Sequence, residues 1–485
     1  MGTRRALFFS FLDRYSGLLL AIGSSMVISR LLTPAETGVF SVTMVLIVFA
    51  QSLRDLGAGQ YLVQEKELTQ DRIRATWTVM LGAGTSLAVV IGIAAIPVAH
   101  FYGEPRMARI MWVIALTFLV NPFGSMTYAW LMREMRFDAL AVMRFGSGVA
   151  GAGVSIWLAW LGWGPISLAL GNLAATLVNA ALALRYRPPL FGWMPGLRGL
   201  REVIGFGSQI SGTSIIMNVA SGAPELLLGK LQNMAAAGLY SRGNGLAQMF
   251  QRLVLDAAQA VAMPLFAQSR RESGSIRGPF LRSLSYVTAL GWAFLIGLAL
   301  LAYPLTRMLY GDQWDDSVPL TRLLACGMMI GLPASMCGHA LLGIGQARKL
   351  LKLTATVVPI HVACICLGAM YSLQGVGLAV IVAQMLSTPI WLVAVQRCVG
   401  FGWAELANTL TRSAVVACAA GIVPLSVVAV LGLRPTWGAT SILCAAGGGA
   451  AVFVLVVRLF GHPLQQEFGR LFKLKRAHNS RPPSL

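Results

Sequence analysis

The sequence predicts an all-α polytopic membrane protein of about 14 transmembrane helices: two six-helix lobes related by a pseudo-twofold axis, plus two accessory helices. Three observations predict it. Of 485 residues, 56% are hydrophobic and only 12% charged, and apolar runs of about 20 residues, enough to cross a ~30 Å hydrocarbon layer, recur from one end to the other. The basic residues gather in alternate connectors. Landmarks of the first half return in the same order in the second.

The spans cover approximately residues 11–31, 38–57, 76–99, 108–131, 141–161, 165–185, 202–223, 236–263, 280–303, 317–343, 350–371, 375–396, 412–432 and 437–458. A barrel strand would span with 9–11 alternating residues; none of these runs alternates, so each is read as a helix. The first, "MGTRRALFFSFLDRYSGLLLAIGSS", has a basic start but carries Asp13 and Arg14 within it, which argues for an uncleaved helix with its N-terminus inside. It ends in "RLLTPAETGVFS" (30–41). There Pro34 stops the helix continuing, Arg30 and Glu36 mark the water interface, and Gly38 admits a close approach as the second span begins.

The later connectors alternate in charge. Arg185, Arg187, Arg198 and Arg201 share one, Arg270, Arg271, Arg277 and Arg282 another, and Arg348, Lys349 and Lys352 a third, while the tail holds Arg458, Arg470, Lys473, Lys475, Arg476 and Arg481. Connectors 159–165 and 371–376 carry no Lys or Arg, and 303–318 sets Arg307 against Asp312, Asp315 and Asp316. This positive-inside pattern places both termini on the cytoplasmic side. It also accounts for the net charge of +20 without nucleic acid, since no basic stripe with interleaved aromatics occurs. No polar stretch between the spans exceeds about twenty residues. A soluble catalytic domain is thereby excluded, and any site must be built from the helices and short loops.

Residues 30–53 align with 230–253, pairing Arg30 with Lys230, Ala35 with Ala235, Gly38 with Gly238, Phe40 with Tyr240, Ser41 with Ser241 and Gln51 with Gln251. "FYGEP" (101–105) then answers "LYGDQ" (309–313), and "GPISLAL" (164–170) answers "GVGLAVI" (375–381). Ordered landmarks imply duplication. Six spans per unit give both halves the same orientation, the parallel-repeat arrangement of secondary transporters. The expected division is 1–190 for the first lobe, 191–400 for the second, 401–460 for the accessory helices and 461–485 for a basic cytoplasmic tail.

Ionisable groups in hydrocarbon cost about 2.5–3.5 kcal/mol on insertion scales, so they face protein or water. In span 8, Gln248, Arg252, Asp256 and Gln259 follow i, i+4, i+8, i+11 spacing and form a single stripe of one helical face. Asp13 and Arg14 in span 1, Arg54 and Asp55 at the end of span 2, Arg242 beside the stripe and Arg322 in span 10 complete the set, and Ser208, Ser211 and Asn218 add a polar face in span 7. These groups would line a water-filled cleft in which Arg14, Arg54, Arg242, Arg252 and Arg322, with Gln248 and Gln259, bind substrate while Asp13, Asp55 or Asp256 exchanges an ion. Guanidinium groups suit an anionic cargo because they bind phosphate bidentately and stay charged. Several have a structural alternative: an ion pair for Arg252 with Asp256 and for Arg54 with Asp55, and snorkelling for Asp13 and Arg14, as for Arg144 near the start of span 5.

Other motifs point nowhere. "GDQWDDS" (311–317) is read as a loop turn, and "AAGGGAA" (445–451), without the Gly-Lys-Ser/Thr of a P-loop, as close helix packing. Seven cysteines sit mostly in apolar runs of the second half, without disulfide or zinc spacing, and the five histidines are scattered. No metal site, cofactor or nucleophile–base constellation is expected.

A first span ending in "SRLLTPAETGVFSV", the "FYGEP" loop, "LMREMRF" (131–137) and its later analogue "LGIGQARK" (342–349) resemble the Wzx-type oligosaccharide flippases. These form the polysaccharide-synthesis branch of the multidrug/oligosaccharidyl-lipid/polysaccharide exporter superfamily. The resemblance covers spans 1 to 12. It implies a transporter, not an enzyme, in the bacterial inner membrane, flipping an undecaprenyl-diphosphate-linked oligosaccharide (an O-antigen, capsule or exopolysaccharide repeat unit) by alternating access. It further implies drive by a proton or sodium gradient, contact with membrane lipid, and cooperation with polysaccharide polymerase and chain-length proteins. A cation-coupled multidrug exporter of the same fold would instead carry an acid-dominated cavity. A membrane polymerase or ligase would need a large outer loop.

Overall fold

The computed structural model describes residues 3–54, 58–65, 67–189, 191–192, 194–432 and 438–465, with the side chains of 3–15, 52–54, 201, 204–217 and 439 excepted. Among these residues there is no strand, and eleven helices are long and apolar enough to cross a membrane. The other three expected spans correspond to one helix with an undescribed N-terminal part, one with undescribed side chains in its first half, and one that is interrupted. The chain is a multi-pass membrane protein.

The helices group into two compact units, Met1–Ser241 and Arg242–Leu485. The first holds α1 (Thr3–Leu31), α2 (Pro34–Arg54), the short α3 (Ala58–Gln64), α4 (Gln70–Tyr102), α5 (Arg106–Arg133), α6 (Phe137–Trp160), α7 (Ile166–Tyr186), α8 (Leu200–Leu231) and the start of α9 (Met234–Ala247). The second holds the rest of α9, α10 (Asp256–Ser273), α11 (Arg277–Tyr310), α12 (Ser317–Gly331), α13 (Cys337–Gly343), α14 (Ala347–Tyr371), α15 (Leu373–Val399), α16 (Trp403–Leu431) and α17 (Ala439–Leu459). The dividing line falls at 241/242 rather than at the expected 190/191, because α8 packs on α2, α3 and α4.

Local chemistry sets the helix ends. Pro34 is the first residue of α2, where its missing N–H costs nothing. Thr33 caps it reciprocally: Thr33 Oγ1 accepts from the Glu36 amide at 3.3 Å and Glu36 Oε2 accepts from the Thr33 amide at 2.9 Å, a capping box. The echoing stretch is capped at the matching position, with Asn233 Oδ1 accepting from the Ala236 amide at 2.8 Å. Glu36 thus does more than mark the interface.

The second landmark pair is equally alike. Gly103 (φ 68°) and Gly311 (φ 101°) end α4 and α11 with positive φ. Each loop then carries an arginine–carboxylate fork: Arg106 to Glu104 at 2.8 and 2.9 Å, and Arg307 to Asp315 at 2.7 and 3.0 Å. The 311–317 motif is a turn: a short 3-10 segment, Asp312–Trp314, leads into α12.

In the first unit, the connectors after α2, α5 and α7 lie at one end, called here the basic end, and the 31–34 and 102–106 turns lie at the other. In the second unit the accessory helices pack on α11 through Ala289, Val416, Ala420, Phe453 and Val457. His462, following α17, reaches Ser285 Oγ of α11 at 3.0 Å, and His361 of α14 reaches Ser387 of α15 at 2.9 Å. Both histidines are ties between helices.

Candidate functional site

The two repeat hairpins meet inside the first unit. The small residues at 38 and 238 place α2 and α9 backbone to backbone: a methyl group on Gly38 would collide with the Met234 carbonyl, and one on Gly238 with the Pro34 carbonyl. The close approach anticipated for Gly38 is therefore to its own repeat mate. One turn further, Gly229 and Gly222 of α8 receive Val42 and Val45 of α2. Lys230 donates to the Phe101 carbonyl and lies over that ring at 4.2 Å, and the Tyr102 hydroxyl donates to the Leu226 carbonyl at 3.5 Å. Ends of α2, α4, α8 and α9 are thus sealed together opposite the basic end.

Within this seam lies a carboxylate that sequence reasoning missed. Span 7 was expected to stop at 223, before Pro224, leaving Glu225 in a loop. Instead α8 continues to Leu231 with Pro224 buried inside it. A proline removes one intrahelical bond, and neighbouring helices can carry the chain through. Glu225 is consequently a half-buried membrane carboxylate, three residues from Gly222 and four from Gly229, within electrostatic reach of the buried Tyr240. The available signal was the apolar "LLLG" run following it.

In the second unit, two neighbouring helices are broken. Between α9 and α10, Gln251–Leu255 forms a π-turn, the Asp256 amide bonding to the Gln251 carbonyl. A π-turn adds a residue to the helical repeat, so the α-helical stripe of Gln248, Arg252, Asp256 and Gln259 does not hold as one face. Arg252 and Asp256 are exposed, and Asp256 Oδ1 accepts from Gln251 Nε2 at 2.8 Å. Between α12 and α13 the chain tightens to a 3-10 turn at Leu332–Ala334. Gln259 joins the two breaks, its Nε2 donating to the Ser335 carbonyl at 3.3 Å. Ser335 Oγ and His339 Nδ1, one turn apart, are buried without a hydrogen-bond partner among the described residues.

The remaining arginines are placed apart. Arg242 lies with its guanidinium 5.6 and 5.5 Å from the ring centres of Tyr310 and Trp314, packing against the 310–314 loop. Arg322 Nε donates to the Ala299 carbonyl of α11 at 3.1 Å. Asp13, Arg14, Arg54, Ser208 and Ser211 lie in α1, α2 and α8 at positions whose side chains are outside the described residues, and Asp55 is outside them altogether. Among the described residues there is no group of three or more His, Cys, Asp or Glu side chains able to hold a metal. A cavity of about 430 Å³ between α9, α11, α16 and α17 is lined by apolar residues, among them Met249, Phe294, Leu301, Pro424 and Phe453.

Echoing hairpins, interrupted spans and sealed helix ends belong to a multi-pass helical membrane bundle. The chain matches the family described as "Polysaccharide biosynthesis protein" over residues 27–319, and it belongs to that family. It is 26% identical to the succinoglycan biosynthesis transport protein ExoT of Rhizobium meliloti, over 67% of this chain and 66% of that one. It is 23% identical to the lipopolysaccharide biosynthesis protein WzxC of Escherichia coli, over 75% and 74%. These matches therefore span about two thirds to three quarters of the relatives' own length. The fold is shared with the lipid II flippase MurJ in an inward closed conformation, at a TM-score of 0.74 and 11% identity over 95% of this chain and 100% of that one. An inward-facing multidrug resistance transporter of the MATE family gives 0.60 and 15% over 82% and 99%.

Proposed function

We propose that this protein flips a polyprenyl-diphosphate-linked oligosaccharide across the bacterial inner membrane, from the cytoplasmic to the outer leaflet, by ion-coupled alternating access. The observation that carries the reading is membership of the polysaccharide biosynthesis family by a chain built as a membrane bundle without a soluble domain. The fold of a lipid II flippase supports it, because lipid II is itself a lipid-linked sugar diphosphate. By the positive-inside rule the basic end faces the cytoplasm. The Gly38–Gly238 seam then closes the outer side, and delivery requires it to part.

Arg252, exposed at the π-turn, is the assigned contact for the diphosphate, while Arg242 acts as a packing residue and Arg322 ties α12 to α11. The apolar cavity beside α16 and α17 suits an isoprenoid tail, which seeks hydrocarbon surroundings. Asp256, Glu225 and His339 are the ion-coupling groups of this reading, the proton or sodium gradient supplying the energy. A polymerase and chain-length proteins are the expected partners in the membrane.

A strain lacking the protein should accumulate lipid-linked repeat units on the cytoplasmic face, measured by accessibility to an impermeant glycan-modifying enzyme in oriented vesicles. Arg252→Ala should reproduce that accumulation at unchanged membrane abundance. Normal delivery in the deletion strain refutes the flippase reading. Drug sensitivity with normal glycan export would favour a cation-coupled exporter instead.

A further inference from the structure

At the basic end of the first unit, the short helix α3 lies over a cavity of about 370 Å³ against α4 and α5. The lining includes no charged residue. Gln60 and Gln64 of α3 face Asn121, Ser125 and Tyr128, which recur at i, i+4 and i+7 along one stripe of α5. Among the described residues, no hydrogen bond within the protein occupies the amides of Gln60, Gln64 and Asn121 or the hydroxyl of Tyr128. Gln60 and Gln64 are exposed and Asn121 and Tyr128 half-buried, so four hydrogen-bonding side chains without a partner in the protein border one water-accessible space.

The rim of this open cavity is held in place by neighbouring helices. Arg133 of α5 donates to the carbonyls of Leu62, at 2.9 Å, and Glu65, while Arg72 of α4 pairs with Glu65 at 3.1 Å and Glu202 at 3.5 Å. The end of α3 is therefore bound to α4, α5 and α8. Arg144 sets its guanidinium over the Tyr128 ring at 5.2 Å, which puts a cation beside the cavity but not among its lining residues.

Chemistry narrows the occupant. The volume would hold about a dozen waters and falls within the ~300–1,000 Å³ range of small-molecule pockets. A phosphate or carboxylate would call for arginine or lysine in the wall. Amides offer a donor and an acceptor side by side, which matches hydroxyl groups that must both give and take. The tyrosine ring adds an apolar platform for a C–H face. We propose that this cavity binds a sugar of the cargo's head group, the diphosphate remaining outside near Arg144. The assignment rests on the flippase reading and adds to it a carbohydrate site located in the first unit alone.

The test uses the full-length purified protein and two probes: lipid-linked oligosaccharide extracted from the deletion strain, and sugar-free polyprenyl diphosphate. The glycan-bearing probe should bind about tenfold tighter or more, from two or three added hydrogen bonds. The Gln64→Leu/Asn121→Leu double variant should abolish that preference while leaving the affinity for the sugar-free probe within about twofold. Gly59→Leu should do the same by filling the space, since a methyl group there meets nothing nearer than Ala129 and Met80 at 3.9 Å. Equal affinity of wild type for both probes, a preference that survives in the variants, or a parallel fall for both probes overturns the cavity assignment and leaves the flippase reading standing. Binding of neither probe overturns both.

Discussion

Alanine at Gly38 would place a methyl group 2.6 Å from the Met234 carbonyl carbon and 3.0 Å from the Gly238 nitrogen. The Met234 carbonyl oxygen lies nearer still, and comfortable contact begins at about 3.2–3.5 Å, so α2 and α9 must part by about 1.5 Å or more. Both obstacles are backbone, and no side chain can swing aside. Overpacking of this kind costs about 1–3 kcal/mol, which favours any state with the helices apart by about 5- to 150-fold. Gly238→Ala meets the Pro34 carbonyl carbon and the Gly38 nitrogen at 2.9 Å each, the same conflict from the other side. One separation relieves both, so the double variant should cost little more than either single change. The assay is labelling of a cysteine at Val42, which is fully buried beside the seam, by an impermeant maleimide added outside to a cysteine-free background. Labelling should quicken about fivefold or more in each variant, with slower transport. Unchanged labelling and transport refute the seam as the outer closure, and additive effects in the double variant refute the shared separation.

Other outcomes follow from the same contacts. Glu225→Gln keeps the shape of a half-buried side chain and removes its charge; transport should fall and its pH dependence change at constant membrane abundance, whereas unaltered transport removes Glu225 from the ion path. His339→Ala tests the second-unit candidate likewise, and the measurement that decides is proton or sodium uptake during transport in proteoliposomes, expected to drop. Thr33→Ala and Asn233→Ala each delete a helix cap and should cost about 1 kcal/mol, seen as a lowered melting temperature in detergent. Arg106, donating to Glu104, holds that carboxyl below the usual carboxylate range. The pair therefore stabilises the protein above the ordinary carboxylate pKa, and the contribution disappears as pH falls through the depressed value. Glu104→Gln should lower stability by about 1 kcal/mol or less at neutral pH and make no difference in strong acid.

How much was legible in the sequence depended on whether the signal was local. Apolar run length, charge alternation and the repeated landmarks are properties of neighbouring residues, and they predicted the helical membrane fold and the duplicated hairpins. Thr33, Pro34 and Glu36 specify a helix start through bonds no longer than one turn. Span 7 was placed at 202–223, one residue short of Pro224, whereas packing on α2 carries α8 past that proline. The α9–α10 stripe failed because a single π-turn, Gln251–Leu255, alters the angular position of every later residue.

The sequence by itself determined that the chain is a duplicated all-helical membrane bundle with basic connectors on alternate turns, because hydrocarbon solubility and backbone satisfaction act on each segment separately. Only the tertiary structure decided that Gly38 rests against the hairpin of Gly238, that Arg242 serves the 310–314 loop, that Gln259 reaches Ser335, and that polar side chains of α3 and α5 border one cavity. Those outcomes depend on which helix faces meet. Interhelical register is set by small residues and packing across hundreds of positions, which no local pattern encodes.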